Sequence, residues 1–156
     1  GQPAIEWLCG PVAPAGGDKF RISLDRTWPA SACYLAARQK GNDRIRDSVQ
    51  PCAVQIRKNT AGVPQKITFT PIPDVAAGVK SLRLHAVSDS GLPVRFFVRA
   101  GPAVIRGDEL VFTPIPPRSR MPLKVTVCAW QWGRSTNPAV QTATAEVSFS
   151  ILPRKS

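Results

Sequence analysis

The sequence predicts an all-β protein, one complete β-sandwich module preceded by an incomplete copy of itself. Three observations carry this expectation. The opening 63 residues repeat a later stretch at a nearly constant offset. Gly1-Gln2-Pro3-Ala4 stands against Gly91-Leu92-Pro93-Val94, Gly10-Pro11 against Gly101-Pro102, and Gly17-Asp18 against Gly107-Asp108. Ala37-Arg38-Gln39-Lys40-Gly41 stands against Ala129-Trp130-Gln131-Trp132-Gly133, and Val49-Gln50 against Val140-Gln141. The spacings are 90, 91, 90, 92 and 91 residues. A period of about ninety residues made of short strands is the size of one sandwich module. The second observation is period-two alternation in short runs bounded by Gly, Pro, Asn and Asp, which marks half-buried strands. The third is a content of 16 Pro and 11 Gly, which excludes long helices because Pro removes a donor and both residues break helical runs.

Taken in chain order, Gly1–Leu8 supplies the first strand, and Lys19–Leu24 the next through Phe20, Ile22 and Leu24. Tyr34–Gln39 and Ala53–Ile56 supply the last two strands of the first copy. Asn59–Pro64 reads as a short linker, which places domain boundaries at 1–63 and 64–156. In the complete module, Ile67 and Phe69 flank Thr68 in a strand that ends at Pro71-Ile72-Pro73-Asp74. Leu82, Leu84 and Ala86 alternate with Arg83 and His85, and Val94, Phe96 and Val98 with Arg95, Phe97 and Arg99. A hairpin turns at Arg106-Gly107-Asp108, and Leu110 and Phe112 follow. A rigid connection runs through Pro114, Pro116 and Pro117. Val125, Val127 and Ala129 open the next strand, and Val147, Phe149 and Ile151 close the module. The first copy has no counterpart of Ile67–Phe69 or Leu82–Ala86. A sandwich short of two strands leaves apolar surface and unpaired edges. The missing strands are therefore expected from a preceding segment, a second chain, or a rearranged pairing within this one.

Charge and cysteine content narrow the chemistry. The net charge is +11, from 21 basic and 10 acidic residues. Arginine forks suit carboxylate, sulfate or phosphate, so the charge points to anionic partners or to a solvated surface. No apolar run reaches the roughly 18 to 20 residues of a membrane span. No basic-then-apolar leader opens the chain, so an export signal is expected to be removed or to lie outside this sequence. The four cysteines, Cys9, Cys33, Cys52 and Cys128, include no Cys-x-x-Cys pair, and a metal site is not expected. Cys33 and Cys52 lie on opposite arms of a hairpin. A disulfide between them, in an oxidising compartment, stands beside the alternative of four free thiols.

Several of these elements together resemble a known family. Ile67-Thr68-Phe69 with Pro71-Ile72-Pro73-Asp74, and Ser88-Asp89-Ser90-Gly91-Leu92-Pro93-Val94-Arg95-Phe96, resemble bacterial Ig-like repeats. So do Gly101-Pro102-Ala103, Gly107-Asp108-Glu109-Leu110, and Val125-Thr126-Val127 leading to Ala129, Gln131 and Gly133. Such repeats occur in tandem in large secreted and surface proteins, and beside catalytic domains of exported polysaccharide-degrading enzymes. The resemblance implies an Ig-like β-sandwich, a secreted or cell-surface location, scaffold or binding roles, no cofactor and no catalytic residues. Trp130 and Trp132 depart from the first copy, which has Arg38 and Lys40 there.

Catalytic constellations are absent from the sequence pattern. His85 is the single histidine, and it lacks the nucleophile and orienting group of a triad. The carboxylates lie in turns, with Asp18 and Asp108 at equivalent hairpin tips, which is turn chemistry and not a glycosidase pair. The most suggestive cluster is Trp130, Trp132, Phe97, Arg95, Arg99 and Arg134, expected on the outward face of two neighbouring strands. Flat rings with flanking cations suit an acidic polysaccharide, or they pack against a neighbouring module with Arg stacked on Trp. Lys40, Arg44 and Arg46 form a second basic cluster, and Arg118 and Arg120 a third. Nucleic acid, which would use basic residues interleaved with exposed aromatics on a platform, is not favoured, because the exported character that the resemblance implies argues against it.

Overall fold

The computed structural model describes residues 3–26 and 32–154; Gly1 and Gln2 of the repeat lie outside them. In the first unit, β1 (Ala4–Cys9), β4 (Ala32–Gln39) and β5 (Ser48–Gln55) form an antiparallel sheet in the order β1-β4-β5. A separate hairpin joins β2 (Val12–Pro14) to β3 (Phe20–Ile22). Pro51 sits inside β5, which a strand paired on one side only tolerates.

The second unit is a sandwich with nine strands among the described residues, β6 (Ile67–Phe69), β7 (Val75–Ala76), β8 (Ser81–Arg83), β9 (Ala86–Ser88), β10 (Arg95–Ala100), β11 (Ala103–Arg106), β12 (Glu109–Phe112), β13 (Leu123–Gln131) and β14 (Ala143–Leu152). One layer is the sheet β10-β13-β14-β7, closed by a parallel pairing of β7 with β14. The other consists of β11-β12-β8 and β6-β9. Because β8 and β9 are successive parts of one run, this layer follows the A-B-E-D order of an Ig-type sandwich, opposite a C-F-G sheet. The run expected as one strand over Leu82–Ala86 is thus divided: β8 pairs with β12, and β9 with β6.

The core sits where alternation places it. Ile67, Phe69, Leu84, Ala103 and Leu110 of one layer meet Val98, Val125, Val127, Ala129, Phe149 and Ile151 of the other. Ring pairs knit the interior, with Phe69 and Phe96 centroids 5.5 Å apart and Phe112 edge-on to Phe149 at 6.1 Å. Asp74, read from the sequence as a turn residue, also accepts the Ser150 N–H at 2.7 Å and so ties β7 to β14.

The two units share a hydrogen-bond register. Ala4 pairs with Arg38, Ile5 with Ala37, and Trp7 with Leu35, after which a bulge shifts Cys9 opposite Tyr34. Arg95 pairs with Trp130, Phe96 with Ala129, and Val98 with Val127, after which the same bulge shifts Ala100 opposite Thr126. Gly10 and Gly101 follow the two bulges at φ 100° and 105°. The Ser23 N–H then donates to Pro11 O at 3.0 Å, and the Thr113 N–H to Pro102 O at 2.9 Å. Among the described residues the first unit has no counterparts of β6 to β9.

The compact units divide between Arg57 and Lys58, so the segment expected as a linker belongs to the second unit. Val63 N–H donates to Ala139 O at 2.9 Å, and the Asn59 side-chain amide donates to Val140 O at 2.8 Å. Asn, Gly and Pro were read as loop chemistry; here Asn59 satisfies distant backbone groups, and Gly62 adopts φ 89° against Ala139.

Candidate binding face

The outward side of β10 and β13 carries part of the cluster expected from the sequence. Cross-strand register sets Arg95 beside Trp130 and Phe97 beside Cys128. The Arg95 guanidinium lies 6.0 Å from the Trp130 ring centroid, within cation–π range. Arg99 is engaged by the Glu146 carboxylate of β14, a neighbour that the sequence pattern did not single out because strand order was needed to find it. Arg134 Nε donates to Pro138 O at 2.7 Å. The Trp132 carbonyl accepts from the Thr142 hydroxyl at 2.7 Å. Arg95, Phe97 and Trp130 are therefore brought together, whereas Trp132 and Arg134 lie past the end of β13.

The rings are not an open platform. Trp130 is 5% and Phe97 4% exposed, and Cys128 between them is buried. None of the three belongs to the cluster between the two layers, so the outward face is itself covered. The Trp130 Nε1–H is buried without a hydrogen-bond partner among the described residues. Such a group normally finds one, so this indole is held by packing and by the Arg95 guanidinium over its ring. A sugar cannot stack on a ring so enclosed; the accessible members are Arg95, Arg99, Arg134 and half-buried Trp132.

The four cysteines are free thiols, Cys33 and Cys52 among them, which is the second of the two alternatives the sequence left open. The register explains why they do not meet: Cys33 is opposite Val54, and Cys52 opposite Leu35. Such diagonal neighbours stand about 7–8 Å apart, beyond the roughly 4.4–6.8 Å Cα separation of most disulfides. Burial pushes the Cys33 thiol up, and the neighbouring Cys9 and Cys52 push it in the same direction.

Burial also pushes Cys128 from 9.0 to about 12, with Glu146 adding to the rise and Arg99 and Lys58 opposing it. The unfolded chain thus loses this proton near pH 9 while the folded chain keeps it. Stability from this group is complete below pH 9 and falls by about 1.4 kcal/mol per pH unit above it, until the folded thiol ionises near 12. Denaturant unfolding at pH 8 and pH 10.5 tests this: the wild type loses more stability between them than Cys128→Ala. Equal losses would contradict the assignment.

Other charged groups shape turns. Asn42 Oδ1 accepts from the Arg44 and Ile45 N–H groups at 2.9 and 3.0 Å, and Asp47 from Gly41 at 2.6 Å, so the Lys40–Arg46 cluster sits on an ordered hairpin tip. Arg83 Nε is 2.9 Å from Asp108, so the latter is a structural carboxylate. His85 is exposed. An apolar cavity of about 650 Å³ opens beside β7, lined by residues including Val75, Phe112, Ile115, Met121 and Ile151, with Lys80 and Arg154 also on its wall. Its walls come from segments far apart in the chain, so no local pattern marks it.

No family model and no curated protein matches this chain. Among solved structures, it is similar to a protocadherin gammaB7 EC3-6 cis-dimer at 13% identity and a TM-score of 0.40, covering 97% of this chain and 40% of that one. It is similar to the protocadherin gammaB4 extracellular domain at 16% identity and a TM-score of 0.39, covering 97% of this chain and 27% of that one. The chain spans less than half the length of either structure.

Proposed function

We propose that this chain is a non-catalytic structural module, a spacer from a tandem array of Ig-like sandwiches in an exported, secreted or surface-borne protein. The observation that carries this reading is the recurrence of one strand register, with its bulge and its following glycine, in both units. Repetition of a whole sandwich lengthens a protein by a fixed increment, and each repeat brings its own core. Its natural partners are then neighbouring modules, or a second chain, able to supply strands to the first unit.

The alternative, binding of an anionic polysaccharide through Trp130, Trp132, Phe97, Arg95, Arg99 and Arg134, is weakened by the enclosure of two of its three rings. Electrophoresis through gels holding alginate, pectin, heparin or a neutral glucan separates the readings. With a net charge of +11, the spacer reading expects retardation by anionic polymers only at low ionic strength, because exposed charge is screened at about 8 Å in physiological salt. It also expects no dependence on Trp132. Salt-resistant retention that Trp132→Ala abolishes would overturn the spacer reading.

A further inference from the structure

We infer that the first unit is a strand acceptor, closed by an extended segment equivalent to β6 through β9 that leads into the first unit and carries the alternating apolar chemistry of Lys66–Ser88. This rests on the modular reading above and specifies its partner. The second unit is the internal template, because the two registers can be superposed position by position. Trp7 and Val98 occupy the same place, each opposite its own central residue, Leu35 or Val127. Val54 and Phe149 likewise stand opposite Cys33 and Val125. Yet Trp7 is 43% and Val54 42% exposed, whereas Val98 is 7% and Phe149 3% exposed. The chemistry at these positions is apolar in both units; what differs is the cover.

In the second unit the cover is known. Ile67, Phe69 and Leu84 from β6 and the run after β7 fill the core, and β6 packs on β13 and β14. β8 pairs with β12, setting Leu82 opposite Leu110 and Ser81 opposite Val111. β7 pairs with the end of β14 at Ile151 and Leu152. Carried over by register, the acceptor positions of the first unit are Phe20 and Arg21 on β3, and Ile56 and Arg57 just past β5. Among the described residues of the first unit, β3 pairs only with β2, and β5 only with β4. Pro51 lies upstream of Ile56 and blunts the middle of the β5 edge, so the accepting stretch is its C-terminal end, as in the template. A second identical chain is a poor donor, because its own β6 to β9 are already engaged in its own sandwich. Connectivity favours a donor in line: in the second unit the donor runs through Asp89-Ser90-Gly91 straight into β10.

The test is a fusion in which a copy of Pro64–Ser90 is placed before Gly1, recreating the Ser90–Gly91 junction, compared with the unfused chain by residue-resolved amide exchange. A second arm adds the synthetic peptide Pro64–Ser90 to the unfused chain. The expected result, in at least one arm, is exchange slowed tenfold or more at both Phe20–Arg21 and Ile56–Arg57. Leu110 and Phe149 in the second unit should be unchanged. Leu82→Pro in the added copy abolishes the effect. Slowing below tenfold at either acceptor stretch in both arms overturns the inference. Failure of the spacer reading is a separate outcome, because glycan retention through Trp132 does not depend on these amides.

Discussion

Leu110→Ala is expected to lower the stability of the second unit by about 2–5 kcal/mol, the usual range for truncating a fully enclosed leucine. Leu110 is fully buried, in the middle of β12, where β8 and β11 flank it and both layers close over it. The register-equivalent change in the first unit is Phe20→Ala. Phe20 is larger, yet only half-buried, so its truncation removes less contact and leaves less of a cavity. Denaturant unfolding followed by amide exchange in each unit reads both values. The comparison reverses ordinary expectation, in which the larger ring costs more; a greater loss at Phe20 than at Leu110 would show the first unit to be closed already.

Gly101→Ala is the second change with a large expected effect. Gly101 follows the β10 bulge at φ 105°, and a Cβ there would stand 2.9 Å from the Val125 Cα and 3.0 Å from Lys124 O. A non-glycine residue held in this region costs about 1–3 kcal/mol for the backbone alone, and the collision with the β13 backbone adds to it. Gly10 repeats the arrangement, with a Cβ 2.6 Å from Ala32 O and 2.7 Å from the Cys33 Cα. Gly107→Ala is the control: its φ is 65°, but no atom lies within 4 Å, so only the conformational cost remains. Thermal unfolding should rank Gly101→Ala well below Gly107→Ala. Equal losses would mean that the close approach of β10 and β13 after the bulge is not what requires glycine.

Most strands of the second unit were legible in the sequence because alternation survives wherever one face is wet. Ile67–Phe69, the Arg106–Asp108 hairpin and the long β13 and β14 all follow it. The pattern failed where pairing partners change along one run: β8 and β9 read as a single strand because alternation carries no information about which neighbour a residue bonds. β7 was missed because two residues are too few for a period. Asn59–Pro64 read as linker because its side chains resemble loop chemistry, whereas the partners of Asn59 lie some eighty residues away. At the candidate face, period two correctly set Phe97, Cys128 and Trp130 on the side away from the inner core. It could not show that this side is also covered, because alternation records direction, not exposure.

The parallel pairing of β7 with β14 bears on how the second unit would carry load. β7 is reached from the N-terminal side and β14 leaves on the C-terminal side, while both strands run the same way. Traction on the two ends of the unit therefore slides these strands past each other along their length. Their hydrogen bonds, with the Asp74–Ser150 clasp, are strained together and not opened one after another like a zip.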